Sequence, residues 1–94
     1  MLSKELPLSD EKTLGIVQVL SSKLSFRILR LISKEQLDIS TIARRLQLSE
    51  ARVSEGVSTL EKSGLVQASY APGKRGIRKL CKPAVQKVVI VIAA

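Results

Sequence analysis

Apolar residues recur along the chain in blocks separated by short polar or glycine-proline breaks, and the spacing inside each block predicts its element. Residues 1–8 carry no period, and Pro7 argues against an early helix, so they read as a flexible N-terminal arm. Ser9 is placed to cap a helix, with Asp10 and Glu11 in its first turn. The run Thr13-Leu-Gly-Ile-Val-Gln-Val-Leu20 that follows is apolar on most sides. A terminal helix of that kind has a second surface to bury against, and in a small chain a second copy can supply it.

Ser21-Ser22 breaks the pattern and lets a second helix start. Leu24, Ile28, Leu31 and Ile32 then fall at helical spacing, with Lys23, Arg27, Arg30 and Lys34 facing away and an end expected near Glu35 or Gln36. Leu37-Asp38-Ile39 reads as a short extended piece. Ser40 is expected to cap a short helix from Thr41 to Leu46, Gln47-Leu48 to turn, and Ser49 to cap a longer helix, Glu50 to Ser63. Ala51, Val53, Val57 and Leu60 share one face of that helix, and Gly64 stands where a left-handed C-cap wants glycine.

Leu65 to Ala71 alternates as a half-buried strand does, and Ile77 to Lys82 reads as the returning strand, ended by Pro83. Pro72-Gly73 suits the centre of a type II turn, so the hairpin tip is Pro72-Gly-Lys-Arg-Gly76. Ala84 to Ile92 is open between strand and helix, and the β-branched density of Val88 to Ile92 favours the strand. Either way that segment must be covered, because an exposed Val-Val-Ile-Val-Ile edge aggregates.

Two capped helices joined by a tight turn and closed by Gly-Leu-Val make a helix-turn-helix, and the hairpin makes it winged. The fold class is therefore mainly α with a small β-hairpin wing, α+β overall. The arm is 1–8, the winged helix-turn-helix domain 9–83, and the apolar C-terminal segment 84–94 is expected to form a dimer contact together with the arm and the first helix.

Charge sharpens this picture. The 94 residues carry a net charge of +8, unevenly spread. Residues 1–61 hold nine basic and all eight acidic side chains, whereas 62–94 hold seven basic ones and no acid. A basic stretch without counter-charge points to a polyanion, nucleic acid before an anionic membrane surface. There is no histidine and one cysteine, Cys81, which excludes an internal disulfide and leaves no usual zinc set. No nucleophile-base pair, paired carboxylate or glycine-rich phosphate loop before a helix is present, so no enzymatic activity is expected. No apolar run is long enough to span a bilayer, no signal-peptide pattern opens the chain, and a cytoplasmic protein is expected.

Leu20-Ser-Ser-Lys-Leu-Ser-Phe-Arg-Ile-Leu-Arg-Leu-Ile32, followed by the block Ile39 to Val66, resembles the ArsR-like winged helix-turn-helix repressors over roughly residues 14–82. MarR-like regulators share much of the pattern, and the Val/Ile-rich ending resembles small archaeal members. The resemblance implies a dimer held by terminal elements, with helix 50–63 in the major groove. It also implies wing 72–78 on flanking backbone or minor groove. Metal sensing does not carry over, because the paired cysteines or His and acidic clusters of metal-sensing members are missing; neither a metal nor another cofactor is expected, and no effector is indicated.

The DNA-facing set is then Thr41, Arg44, Arg45, Ser49, Ala51, Arg52, Ser54, Glu55, Ser58, Lys74, Arg75 and Arg78. Arg52 either reads a guanine edge or pairs with Glu55 or Asp38. Of Arg44 and Arg45, one is expected on phosphate and one in a structural role. Ser49, Ser54 and Ser58 permit close docking, and Glu55 either accepts from cytosine or repels DNA. Gly56 in mid-helix implies a close approach, and Cys81 and Tyr70 are expected to pack. The function expected is a sequence-specific double-stranded DNA-binding regulator, a repressor acting as a homodimer. A winged-helix protein-interaction adaptor, suggested by Glu50 and Glu55, and a non-specific chromatin coat are the alternatives.

Overall fold

In the computed structural model, which describes residues 2–93, the apolar blocks become β1 (Ser3–Pro7), α1 (Lys12–Ser21), α2 (Lys23–Ile32), β2 (Leu37–Asp38), α3 (Ile39–Leu46), α4 (Glu50–Lys62), β3 (Val66–Gly73), β4 (Gly76–Pro83) and β5 (Lys87–Val91). The core lies where α2, α3 and α4 meet. Ile28, Ile32, Ile42, Val53, Val57 and Leu60 are fully buried there, with Ala43 between the helices. Each such aliphatic side chain contributes about 1.5–3 kcal/mol by leaving water. Leu37, Leu65, Val66 and Cys81 close the core from the sheet side.

Five local expectations are corrected. The arm expected over 1–8 is not loose where it is described: Ser3–Pro7 pairs in parallel with Lys87–Val91. Ser9 does not cap α1, which starts at Lys12, whose amide donates to the Asp10 carboxylate at 2.9 Å. The second helix stops at Ile32 rather than near Glu35, and the Ser33 hydroxyl donates back to the Arg30 carbonyl. The cap of α3 is Asp38, not Ser40, since the Asp38 carboxylate accepts the Thr41 amide at 2.8 Å. An ionised acceptor in that place also meets the positive end of the helix dipole.

The fifth correction concerns the hairpin. Pro72 and Gly73 belong to β3, opposite Ile77 and Gly76, so the tip is Lys74-Arg75. Neither residue has positive φ, and Gly76 takes it instead at φ 107. That excludes the primed two-residue turns and leaves the glycine to absorb the reversal.

Two sheets result, β2-β4-β3 antiparallel and β1-β5 parallel. The tail between Ala84 and Ile92 is thus a strand rather than a helix over Lys87–Val91.

Gly56 is the close approach that its position implied. A β-carbon there would stand 2.8 Å from Ile28 Cδ1 and 2.9 Å from Leu24 Cδ2. Alanine would gain about 1 kcal/mol of helix propensity but must displace a fully buried isoleucine tip. We expect Gly56→Ala to lower stability by about 1 kcal/mol in urea unfolding. A more stable variant would show that the Leu24 and Ile28 ends yield freely.

Candidate nucleic-acid interface

The helix-turn-helix is built by its caps. Asp38 starts α3, and Gln47 ends it in the left-handed region at φ 57, turning the chain within three residues. Ser49 then accepts the Arg52 amide at 3.1 Å and starts α4. Leu46 and Leu48 pack on the core from either side of the turn, which fixes the angle between the helices.

The wing is held by two neighbouring residues of β4 that point to opposite faces. Arg78 Nε donates to Asp38 Oδ2 at 2.8 Å, gripping the start of α3. Lys79 Nζ donates to Glu61 Oε1, gripping the end of α4. The Thr41 hydroxyl and amide and the Arg78 guanidinium hold the Asp38 carboxyl down at about 2, from an ordinary 3.8, against the opposing effect of burial. The bond to Glu61 raises the Lys79 ammonium above its ordinary value. Gly73 leaves room for the Arg78 stem beside it, because a β-carbon there would lie 2.7 Å from Arg78 Cδ.

An open groove of roughly 1350 Å³ runs between the wing and the α3–α4 corner. It is lined by Arg44, Ala51, Ser54, Lys74, Arg75 and Arg78 of the expected DNA-facing set, together with Glu50, Pro72 and Ile77. Ala51 is exposed on this floor, not turned into the core with Val53 as its spacing suggested. Among the described residues, Arg44, Lys74 and Arg75 make no ion pair, and Arg78 stays half-exposed beside Asp38. The first turn of α4 opens onto the groove, where backbone amides and the helix dipole favour an anion.

The other expected residues stand apart. Arg52 and Glu55 line a smaller cleft of roughly 470 Å³ against α1 and α2, with Gln18 and Ser22. Arg52 pairs with neither Glu55 nor Asp38 among the described residues, the latter being taken by Arg78. Arg45 pairs with Glu35 at 2.8 Å, whereas Arg44 has no ion pair among the described residues. Thr41 is half-buried and spent on Asp38, the Ser49 hydroxyl on its cap, and Ser58 is half-buried.

Tyr70 does not pack, being 66% exposed on the wing. Cys81 is fully buried, and burial pushes its thiol up to about 11, so little thiolate forms at neutral pH. Asp38, Glu61, Pro72 and Ile77 were not in the expected set. The only sequence signal for Asp38 was a carboxylate three residues before a helix amide. Among the described residues, no three His, Cys, Asp or Glu side chains cluster as a metal site, and no helix is long and apolar enough to cross a membrane.

A model of the MarR family matches residues 21–75, the span from α2 to the wing tip. No curated protein matches the sequence. Among solved structures, a homodimeric winged helix-turn-helix DNA-binding domain from Mycobacterium bovis, described as a possible ArsR-family transcriptional regulator, superposes with a TM-score of 0.69. It shares 20% identity over 79% of this chain and 65% of its own. Reduced HlyU from Vibrio cholerae gives 0.66 at 18% identity over 77% and 72%, and NolR from Sinorhizobium fredii 0.64 at 19% over 78% and 69%. These likenesses establish the winged helix-turn-helix fold.

Proposed function

This chain belongs to the MarR family, and from that premise we propose that it is a sequence-specific double-stranded DNA-binding regulator, a repressor that acts as a homodimer. The observation that carries the reading is the wing groove. Its floor is the exposed first turn of α4, and its rim holds Arg44, Lys74 and Arg75, cations with no ion pair among the described residues.

In this reading α4 enters the major groove with Ala51 and Ser54 against the bases, small enough for close approach. Lys74 and Arg75 reach flanking phosphates or the minor groove, while Arg44 touches the backbone beside α3. Arg52 sits on the other flank of α4 and reads a guanine edge. Arg78 acts mainly by orienting the wing, and Arg45 by bracing α3 to Glu35. Thr41, Ser49 and Ser58 hold the frame or touch phosphate, and Glu55 limits non-specific contact. Occlusion of a promoter by two such units, about one helical turn apart, is the mechanism.

The test is fluorescence anisotropy of the protein with its own promoter duplex and a scrambled duplex, across a salt series. The reading expects the native duplex to bind about 10³-fold more tightly, with a salt slope equivalent to roughly 6–10 phosphate contacts. Equal, tight binding to both would point to chromatin coating. No binding at low salt would point to the adaptor role that Glu50 on the groove floor favours. Arg52→Ala is expected to cost about tenfold on the native duplex and little on the scrambled one. An equal loss on both would assign Arg52 to phosphate.

A further inference from the structure

The sheet β1-β5 is anomalous as it stands. Parallel strands are ordinarily buried on both faces within larger sheets, and a lone two-stranded ribbon is marginal in water. Here the pair is detached from the wing sheet, and its continuation leaves Leu8 55%, Ile90 43% and Ile92 79% exposed.

The two outer edges of the ribbon differ. The Leu8 amide donates to the Val91 carbonyl at 3.1 Å, which fixes the alternation. Leu6 and Leu8 turn their backbone groups to β5, and Val89 and Val91 turn theirs to β1. Ser3, Glu5 and Pro7 therefore present the outer edge of β1, and Val88, Ile90 and Ile92 that of β5.

The β1 edge is closed to pairing. Pro7 has no amide to offer, its carbonyl accepts the Thr13 hydroxyl at 2.6 Å and the Asp10 amide at 3.1 Å, and Lys4 and Glu5 bring charge. On β5 there is no proline, glycine or charge from Val88 to Ile92, and among the described residues no strand pairs with its outer side. Natural sheets protect a free edge with such devices, so an edge without them is one that is paired.

We propose that β5 pairs antiparallel with β5 of a second copy across a two-fold axis at Ile90, making one continuous four-stranded sheet in the order β1-β5-β5-β1. The inference deepens the homodimer proposed above and rests on it. The outward groups are symmetric about Ile90, so Val88 faces the partner's Ile92, and Ile90 faces the partner's Ile90. Each such pair exchanges amide and carbonyl. Charge agrees with the pairing, because the nearest charged residue, Lys87, lies opposite the uncharged end of the other strand and away from its twin. The exposed Ile90 and Ile92 then continue the apolar row begun by the buried Leu6.

Sedimentation of the DNA-free protein and cysteine trapping test this together. The wild type is expected at twice the 10.3 kDa chain mass. Ile90→Pro removes one outward amide without touching the bonds to β1, and is expected to sediment at half that mass with unchanged circular dichroism. Ile90→Cys is expected to form a covalent dimer under mild oxidation, since directly opposed α-carbons of such a pair lie about 5.5 Å apart, within disulfide reach. Tyr70→Cys on the exposed wing should not, and the buried Cys81 does not interfere. Should Ile90→Pro lose its fold, the Ile90→Cys trap decides alone. A wild-type monomer overturns both the edge and the homodimer. A wild-type dimer that Ile90→Cys fails to trap, or that persists in folded Ile90→Pro, overturns the edge and leaves the homodimer standing. Neither result bears on DNA binding, which the anisotropy series reads separately.

Discussion

Replacing Lys74 and Arg75 together by alanine is expected to weaken binding to promoter and scrambled duplex alike, by about 30-fold for each DNA-bound copy near 0.15 M salt. Both side chains are exposed at a tip whose backbone is set by Gly73 and Gly76, so removing them costs the fold little. Each cation that neutralises a phosphate adds roughly 0.9 to the slope of log affinity against log salt. If that advantage vanishes near 1 M salt, one contact is worth roughly fivefold at 0.15 M and two about 30-fold. The slope should fall by about 2 per copy, and the preference for the native duplex should survive. A loss confined to the native duplex would mean that the wing reads sequence. An unchanged slope would remove the wing from the phosphate backbone, and with it the groove that carries the proposed function. The exchange Lys74→Arg with Arg75→Lys should keep most of the affinity, since it keeps both charges at the tip.

The elements that hold this groove were unequally visible in the sequence. Helix α4 was legible because its signals agree: Ser49 caps it, Val53, Val57 and Leu60 keep the helical period, and Gly64 ends it at φ 75. The wing was legible as a hairpin, but its turn was misplaced by two residues. Pro72-Gly73 is a turn signal in sequence, whereas in space Gly73 is needed because the Arg78 stem lies beside it. Ala51 fits the DNA-facing set better than the apolar face: two positions before Val53 it points about 200° round the helix, away from the stripe of Val53, Val57 and Leu60 that α4 buries.

Long-range pairing was the least legible. Nothing local in Ser3–Pro7 signals a strand, and it becomes one only because Lys87–Val91, some eighty residues away, offers a ladder. The ion pairs Arg78–Asp38 and Lys79–Glu61 are hidden in the same way. The sequence shows seven basic residues without acids after Glu61, yet two of them are answered by acids from earlier in the chain. The free charge on the groove is therefore smaller than the raw count, and it is concentrated at Lys74, Arg75 and Arg44.

Asp38 is the residue at which fold and groove meet, and Asp38→Ala is expected to destabilise the protein by about 2 kcal/mol at pH 7. Loss of an N-cap accounts for about 1 kcal/mol of that. The remainder is the tie to Arg78, discounted because that guanidinium is half-exposed and screened by solvent. The pH dependence gives the sharper test. The Asp38 carboxyl sits at about 2 in the folded protein and near 3.8 when unfolded. A depressed carboxylate contributes its stabilisation in full above the unfolded value and loses it as pH falls toward the folded one. Urea unfolding should therefore show a gap between wild type and Asp38→Ala that is constant from pH 7 to about 4 and narrows between about 4 and 2. Asp38→Asn keeps an N-cap acceptor and should recover about half of the loss, while its own stability should not carry this titration. A gap that is unchanged at pH 2 would mean that the side chain acts by packing alone. In that case the wing would be positioned chiefly by the Lys79–Glu61 pair on its other face.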